Sequence, residues 1–325
     1  MNTIGNKFRV SVFGESHGNS VGVVLDGVPS GIELSEQDFA EDIDRRRSGA
    51  KGTTARIEDD RPEILSGVFG GKTTGAPLSV VFKNRDVKPS DYEIFKVIPR
   101  PGHADFVAGV KWSNYNDPRG GGHFSGRLTL PLVAAGVVAK KVIEEMYVSA
   151  RLVEIGGSRN RDLWQELIDG ASREGDSLGG IVECTVDNVP VGLGEPFFDS
   201  VESMISHAVF SIPGVRGIEF GDGFAAARMK GSQHNDPLIS QNGLCAGNGA
   251  GGVNGGLTNG NPVVFRVAFK PTSSISKVQQ TYDFSTGGLT DLKIPGRHDT
   301  CFALRTPVIV EAVTAIVLAD LYREL

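Results

Sequence analysis

The fold is decided by two apolar stretches, TLPLVAAGVVAKKVIEEM at residues 129–146 and TPVIVEAVTAIVLADLY at residues 306–322. Each starts with a threonine and has a proline in its first turn, where the missing proline N–H costs no helical hydrogen bond. We therefore predict a helix that begins near Thr129 and runs through the first stretch, and another that begins at Thr306 and runs through the second. Apolar residues surround most of the first half of the former, which predicts burial on several sides.

Shorter elements surround these two helices. Ser35 is placed as an N-cap between Leu34 and Phe39, which form a hydrophobic staple, so a helix is predicted from there to the arginines at 45–47. A fourth helix is predicted over 199–210. Strands are predicted at 8–13, 22–25, 76–82, 180–186 and 263–269. The irregular order of helices and strands favours an α+β fold with helices packed on antiparallel sheets, and the lack of a linker or repeat predicts one domain over residues 1–325.

Composition excludes several classes of protein. The 325 residues are 39% hydrophobic and 22% charged, unlike disordered, collagen-like or membrane proteins, and no apolar run reaches a membrane span. A net charge of −6 argues against a nucleic-acid-binding surface. Three cysteines without a CxxC pair predict neither a disulfide framework nor a zinc site, and no other metal motif is present. With no signal-peptide pattern at the N-terminus, we expect a cytoplasmic protein.

Glycine makes up 43 of the 325 residues, about twice average usage. Two glycine-rich segments resemble nucleotide-binding motifs, residues 70–74 a P-loop and residues 247–252 a GxGxxG turn. Neither has the strand before it and the helix after it that phosphate binding requires, so both are set aside.

Four of the six histidines lie in glycine-flanked polar segments: His17, His103, His123 and His298. Any one of them alone is consistent with an ordinary hydrogen-bonded loop histidine. Together they indicate a site, because histidine exchanges protons near neutral pH and glycine lets a ligand approach the backbone. Arginines accompany them at 45–47, 100, 119, 127 and 297, and in an acidic protein this set indicates a small substrate with several negative charges. The segment KPTSS at 270–274 would suit a phosphate or the edge of a flavin ring.

These segments resemble the chorismate synthase family. The matching motifs are GESHGNSVGVVLDGVP at 14–29, DRRR at 44–47, RPGHADF at 100–106, RGGGHFSGR at 119–127, GDSLGG at 175–180, NVPVGLGEP at 188–196, KPTSS at 270–274 and GRHDTC at 296–301. They run in family order from near residue 4 to near residue 320. The resemblance implies a single α+β domain with helices between antiparallel sheets, assembled as a homotetramer. It also implies a lyase of the shikimate pathway, which makes chorismate from 5-enolpyruvylshikimate 3-phosphate (EPSP) by 1,4-elimination of phosphate. It further implies that reduced FMN is required, without net redox change.

The resemblance also implies residue roles. His17 would protonate the departing phosphate, His103 would act on the reduced flavin, and Ser16 and Asp299 would tune proton transfer. The substrate would be bound by Arg45, Arg46, Arg119 and Arg127. The flavin would be contacted by His123, Phe124, Ser125, Gly255, Lys270, Pro271, Thr272, Ser273, Ser274 and Arg297. Arg46 also matches a position linked to NADPH in members that reduce their own flavin, and the sequence leaves open whether this chain does so.

Two departures from the family pattern affect the flavin contacts. Many members have Arg-Ser-Ser-Ala-Arg at 123–127 and Asn-Ala at 213–214, where this chain has His-Phe-Ser-Gly-Arg and Pro-Gly. Two other functions are also compatible with the residues. A flavoprotein oxidoreductase would consume NAD(P)H in step with product, and a non-catalytic binding protein for a phosphorylated anion would not need His17, His103 or Asp299.

Overall fold

The computed structural model describes residues 1–49, 51–54, 58–85, 89–295 and 298–323. The strands are β1 Thr3–Ile4, β2 Arg9–Gly14, β3 Ser20–Asp26, β4 Glu63–Ser66, β5 Val68–Phe69, β6 Lys72–Thr73, β7 Leu78–Lys83, β8 Tyr147–Ile155, β9 Gly180–Asp187, β10 Val215–Phe220, β11 Val253–Asn254, β12 Leu257–Thr258, β13 Val263–Phe269, β14 Gln279–Asp283 and β15 Gly288–Leu292. The α-helices are α1 Ala40–Arg46, α2 Asp105–Lys111, α3 Thr129–Val142, α4 Trp164–Glu174, α5 Val201–Val209, α6 Gly231–His234 and α7 Pro307–Tyr322.

Two antiparallel sheets form the outer layers. The first has five strands in the order β1-β2-β3-β7-β4, and the second has four in the order β10-β13-β9-β8. Burial alternates residue by residue along β9 and β13, as expected when one face of an antiparallel sheet covers a core. The remaining short strands pair as hairpins, β5 with β6, β11 with β12 and β14 with β15.

Helices α3 and α7 form the middle layer and pack on each other between the sheets. Helix α3 contacts β3 and β7 of the first sheet, and α7 contacts β8 and β9 of the second. A β-carbon added at Gly136 would lie 2.4 Å from Cβ of Ala312, so glycine is what allows the two helices to come this close. Helix α7 is buried from Val308 to Leu321, as expected for a helix that is apolar on all sides. The predicted α+β class with helices between antiparallel sheets is confirmed.

The predicted elements are present, most of them with shifted ends. The helix predicted over residues 129–146 stops at Val142, because the chain leaves helical geometry at Ile143 and then enters β8. The helix predicted over 199–210 begins at Val201, since the Ser200 hydroxyl caps it by accepting a hydrogen bond from Ser203 N at 3.1 Å. Leu34 and Phe39 are both buried at the start of α1, as the staple predicts. Sequence reasoning missed the short strands β1, β4, β5, β6, β11, β12, β14 and β15, the longer strands β8 and β10, and the helices α2, α4 and α6.

A buried group of charges ties α1 to the middle layer. The Glu311 carboxylate in α7 accepts hydrogen bonds from Arg45 at 2.6 Å, from Lys140 at 3.0 Å and from the Ala150 backbone N at 2.9 Å. Asp42 accepts from the same two cations. The result is a fixed position for α1, whose last turn faces the site described next.

Candidate active site

A cavity of about 1040 Å³ opens between the two sheets and the loops that join them. It brings together most of the residues predicted from the sequence, which come from segments far apart in the chain. The predicted residues that line it are Ser16, His17, Arg46, His103, His123, Phe124, Ser125, Arg127, Lys270, Pro271, Thr272, Ser273, Ser274 and Asp299. Arg297 falls outside the described residues.

Three of the predicted site residues do not line the cavity. Arg45 and Arg46 are consecutive residues of α1, so their side chains leave the helix in different directions, and Arg45 turns to Asp42 and Glu311. Arg119 folds back on Asp117, with Nε and Nη2 each donating to the carboxylate at 2.8 Å. Gly255 lies in the turn between β11 and β12. These three residues therefore lie outside the lining of the cavity.

Three consecutive glycines hold His17 in place. Gly120, Gly121 and Gly122 all have positive φ, at 60°, 84° and 54°, a conformation that L side chains rarely adopt. A β-carbon on Gly120 would lie 2.0 Å from Nδ1 of His17 and 2.7 Å from Oγ of Ser16. The Ser16 backbone N donates to the Gly122 carbonyl at 3.0 Å. The glycine segment therefore fixes both candidate catalytic residues against its own backbone.

His103 stands beside a buried ion pair. Arg100 donates to the Asp105 carboxylate from Nε and from Nη2, both at 2.7 Å, and its guanidinium lies 4.5 Å from the centre of the Phe95 ring. Nδ1 of His103 lies 2.7 Å from Oδ1 of Asp105. Burial alone would raise the pKa of Asp105, but the hydrogen bonds from Arg100 and His103 outweigh it and hold that pKa well below its usual range. The carboxylate is therefore ionised at neutral pH.

Two buried arginines share one carboxylate at the other side of the cavity. Asp60 pairs with Nη1 of Arg127 and, at 3.5 Å, with Nη1 of Arg46. Arg127 also donates from Nε to Asn84 at 3.0 Å, whereas its Nη2 is buried and has no hydrogen-bond partner among the described residues. Burial and the nearby Arg305 lower the pKa of Arg46, partly opposed by Asp60. Because two guanidinium groups share one carboxylate, this wall of the cavity has a net positive charge and favours an anionic ligand.

Asp299 is held by a fourth buried arginine. Its carboxylate accepts from Nη1 of Arg305 at 3.2 Å and from the Thr54 backbone N at 2.8 Å. Nε of Arg305 donates to the Arg46 carbonyl at 3.0 Å. Arg305 therefore connects Asp299 to the end of α1.

The segment 270–274 is docked onto the segment that carries His103. Lys270 Nζ and Ser273 Oγ donate to the Gly102 carbonyl at 2.7 and 2.8 Å, and Arg100 Nη1 donates to Ser274 Oγ at 3.3 Å. Burial and the charge of Arg216 lower the pKa of Lys270. Thr272 Oγ1 is buried without a hydrogen-bond partner among the described residues, although the residue lines the cavity.

His123 sits at the N-terminal edge of the cavity. Nδ1 lies 3.0 Å from the Gly14 carbonyl oxygen, and Nε2 lies 3.0 Å from Oδ1 of Asn2. Phe124 beside it is partly exposed and packs against Trp112, with ring centres 5.7 Å apart. The departure from the family pattern at 123–124 thus places an imidazole and an aromatic ring at this edge.

Several residues of the site had no predicted role. Arg100 belonged to the arginine set and directly precedes the segment of His103, which is a signal that could have identified it. Further lining residues with no predicted role include Asp60, Tyr92, His207 and Arg305. Only tertiary packing reveals these, since none lies in a distinctive pattern. Burial lowers the pKa of His298, which also lines the cavity.

Helices between two antiparallel sheets, with a cavity that gathers histidines and buried arginines, define an enzyme for a small, multiply charged anion. Within the described residues there is no group of three histidine, cysteine or acidic side chains placed to hold a metal ion. The helices described here are also too short or too polar to cross a membrane.

The comparisons with known proteins identify the family. The profile of the chorismate synthase family matches residues 8–322. The chorismate synthase of Chitinophaga pinensis is 57% identical over 321 residues, which cover 98% of this chain and 96% of that protein. The chorismate synthase of Korarchaeum cryptofilum is 48% identical over 345 residues, covering 97% of this chain and 96% of that protein. A crystal structure of chorismate synthase is similar with a TM-score of 0.77 at 28% identity, covering 99% of this chain and 93% of that one.

The chain belongs to the chorismate synthase family. The resemblance seen in the sequence is therefore confirmed, together with the class of enzyme, a carbon–oxygen lyase of the shikimate pathway that leads to aromatic amino acids.

Proposed function

We propose that this cavity converts EPSP to chorismate and phosphate by 1,4-elimination, with reduced FMN bound beside the substrate. The observation that carries the proposal is the meeting of His17, His103 and the buried arginines Arg46 and Arg127 in one cavity. EPSP has two carboxylates and a phosphate, so its charge complements this lining.

The residues present fit a flavin mononucleotide. The cavity is at the upper end of the roughly 300–1000 Å³ typical of ligand sites, which leaves room for a cofactor and a substrate together. Thr272 has a buried hydroxyl that needs a partner, next to Lys270 and two further hydroxyls. The segment 270–274 and residues 123–125 would hold the flavin. When bound, reduced FMN supplies electron density that assists loss of the phosphate and is recovered afterwards.

Arg127 and Arg46 would bind the anionic substrate. Nη2 of Arg127 is buried on the cavity wall, and a carboxylate or phosphate oxygen would give it the acceptor that it lacks among the described residues. Arg46 is already held by Thr129, Gly126 and Asp60, so its direction is set before substrate arrives. Pre-positioned charges of this kind stabilise the charge that grows on the leaving phosphate.

His17 would be the general acid. As the C–O bond breaks, its electron pair leaves with the phosphate, and His17 gives that phosphate oxygen a proton. The elimination also removes one ring hydrogen as a proton, and the electron pair of that C–H bond enters the new diene. The ring lies against Gly120 and Tyr92, with the centres of the His17 and Tyr92 rings 5.2 Å apart, and so keeps a fixed orientation. His103 would hold a proton beside the flavin, while Ser16 and Asp299 tune proton transfer around it.

We further infer a homotetramer in the cytoplasm, with FMN as the flavin. These inferences rest on the family resemblance.

A separate experiment tests whether NADPH can serve as reductant at Arg46. NADPH and oxidised FMN are added to the purified protein without dithionite, and bleaching of the flavin absorbance is followed.

The test is an anaerobic assay with dithionite-reduced FMN and excess EPSP, in which chorismate absorbance and released phosphate are followed together. Many turnovers per flavin, with equal phosphate and chorismate, are expected. Reductant consumed in step with product would favour the oxidoreductase. Binding of both ligands without product would favour the binding protein.

The same assay tests His17. In His17→Ala we expect turnover to fall about 10²-fold or more, the usual scale for a general acid. The matched control is His234→Ala, because His234 pairs with Asp222 outside the cavity and should leave turnover unchanged. Wild-type turnover in His17→Ala would remove this residue from the mechanism.

A further inference from the structure

The surroundings of His103 contain two contacts that one protonation state cannot satisfy together. Its Nδ1 lies 2.7 Å from Oδ1 of Asp105 and 3.1 Å from Nη2 of Arg100. The carboxylate only accepts, so the first contact needs a hydrogen on Nδ1. The guanidinium only donates, so the second needs a bare Nδ1. Arg100 and Asp105 therefore compete for the same ring nitrogen.

The geometry favours the carboxylate. The contact with Asp105 is the shorter of the two, and Arg100 already has acceptors in both carboxylate oxygens and in Ser274. Asp105 remains ionised because the hydrogen bonds and positive charge of Arg100 stabilise its carboxylate. A hydrogen on Nδ1 leaves Nε2 as the second ring nitrogen, and a β-carbon on Gly121 would lie 3.3 Å from it. Nε2 is therefore the nitrogen that faces the glycine segment of the site.

We propose that the Arg100–Asp105 pair positions His103, with Asp105 keeping a hydrogen on Nδ1 so that Nε2 is the nitrogen that exchanges protons. Arg100 has a second effect in this arrangement. Its positive charge offsets the carboxylate, so the imidazole stands beside a nearly neutral pair and not beside a lone anion. Both residues act through His103, and neither needs to touch the ligand. The proposal rests on the role proposed above for His103.

Two other charged groups lie near this ring among the residues that the structure describes. Lys270 donates to the carbonyl of Gly102, the residue before His103, and His298 is close enough to interact electrostatically with it. Arg100 has 3% of its side chain exposed and Asp105 has 7%, compared with 18% for His103. The pair is thus shielded from water. In such a buried environment the charge of each member acts more strongly on its neighbour than it would in water.

The first measurement is the tautomer itself. Protein labelled with ¹⁵N in histidine only is studied by solid-state NMR at a pH where the rings are neutral, and the His103 signals are assigned by their loss in His103→Gln. We expect the hydrogen on Nδ1 in the wild type and in Arg100→Met. In Asp105→Asn we expect it to move to Nε2, since Arg100 then donates to Nδ1. A hydrogen on Nε2 in the wild type would overturn the proposal.

The second measurement separates positioning from simple structural damage. The titration midpoint of the His103 ring, followed by the same signals, should fall by about one pH unit in Asp105→Asn, where Arg100 is left beside the ring. It should rise by a similar amount in Arg100→Met, where the carboxylate is left alone. In the double variant the two shifts should largely cancel. Structural damage gives no reason for opposite signs or for cancellation, so shifts of the same sign would refute the proposal.

The matched control is the exposed pair of Arg9 and Asp26. Arg9→Met, Asp26→Asn and their double variant change the same charges outside the surroundings of His103 and should leave its signals in place. The NMR results do not depend on turnover. If they agree with expectation while His103→Gln keeps full activity, the proposed role of His103 fails and the positioning inference holds.

Discussion

At the scale of single residues, the site depends on backbone that only glycine can supply. Gly120 approaches His17 so closely that even a methyl group cannot be placed there. In Gly120→Ala we therefore expect a loss of turnover of about 10²-fold, since a catalytic group displaced by about 1 Å can cost that much. The control is Gly70→Ala: Gly70 has nearly the same φ, 58° against 60°, but open space around its β-carbon position. The Gly70→Ala variant should have the same backbone strain and keep wild-type turnover. Equal losses of turnover in both variants would show that the contact of Gly120 with His17 is not responsible.

Residue types predicted the site better than residue positions did. Histidine and arginine in glycine-rich segments indicated an anion site, and His17, His103, Arg46 and Arg127 do line the cavity. The choice between Arg45 and Arg46 could not be made from sequence, because it depends on which of two adjacent helical positions faces Glu311.

At the scale of elements, α1 is held to α7 by Glu311, whose contribution depends on pH. Burial raises the pKa of this carboxyl, but hydrogen bonds and charges from Arg45 and Lys140 outweigh it and lower the pKa in the folded protein. Its stabilisation is therefore present above the unfolded value of about 4.3 and is lost as pH falls through the lower folded value. We expect Glu311→Gln to cost about 1–3 kcal/mol of unfolding free energy at pH 7, because it removes the buried carboxylate shared by Arg45 and Lys140, while Asp42 still pairs with both cations. The difference should shrink in acid.

Denaturant unfolding of the two proteins at pH 7 and pH 3 measures this difference. Glu63→Gln removes an exposed pair with Lys83 and should cost less than about 1 kcal/mol at either pH. A penalty for Glu311→Gln that stays constant with pH would show that the charge is not responsible.

The crossing of α3 and α7 gives a second prediction for elements. Alanine normally stabilises a helix by about 1 kcal/mol relative to glycine. At Gly136 the added methyl group would overlap Ala312, so we expect Gly136→Ala to lose about 1–3 kcal/mol instead. Gly170→Ala in α4, where the new methyl group meets nothing within 4 Å, should gain stability. Thermal unfolding of the two variants compares them directly, and a gain in both would mean that the helices can move apart.

At the scale of the whole molecule, the cavity is lined by residues from Met1 to Arg305, so a bound ligand connects both sheets. A ligand at 100 times its Kd should add about 2.7 kcal/mol to the unfolding free energy. In Arg127→Lys, which keeps the charge beside Asp60 and loses the Nη2 donor, we expect the increase in Tm with EPSP to shrink and the increase with FMN to remain. Arg119→Lys should change neither. An unchanged increase with EPSP in Arg127→Lys would refute the substrate contact.

The fold could be predicted from sequence as a class and not as a topology. Helix starts at Thr129 and Thr306 follow from local chemistry, and β13 was predicted with its observed bounds. The pairing of β9 with both β8 and β13 joins residues far apart in the chain, so no local pattern specifies it. We propose that the chain is one domain, because a single cluster of buried side chains runs from Phe8 to Leu321.

The central position of α7 has a consequence for biosynthesis. This helix follows every other described element in the chain, yet the inner face of β8 and β9 packs on it. At about 5–20 residues per second, the ribosome delivers the second sheet well before the helix that covers it. During that interval the nascent chain presents an apolar sheet face to the surrounding medium, which makes it a natural client for a chaperone that binds such faces until translation has passed Tyr322.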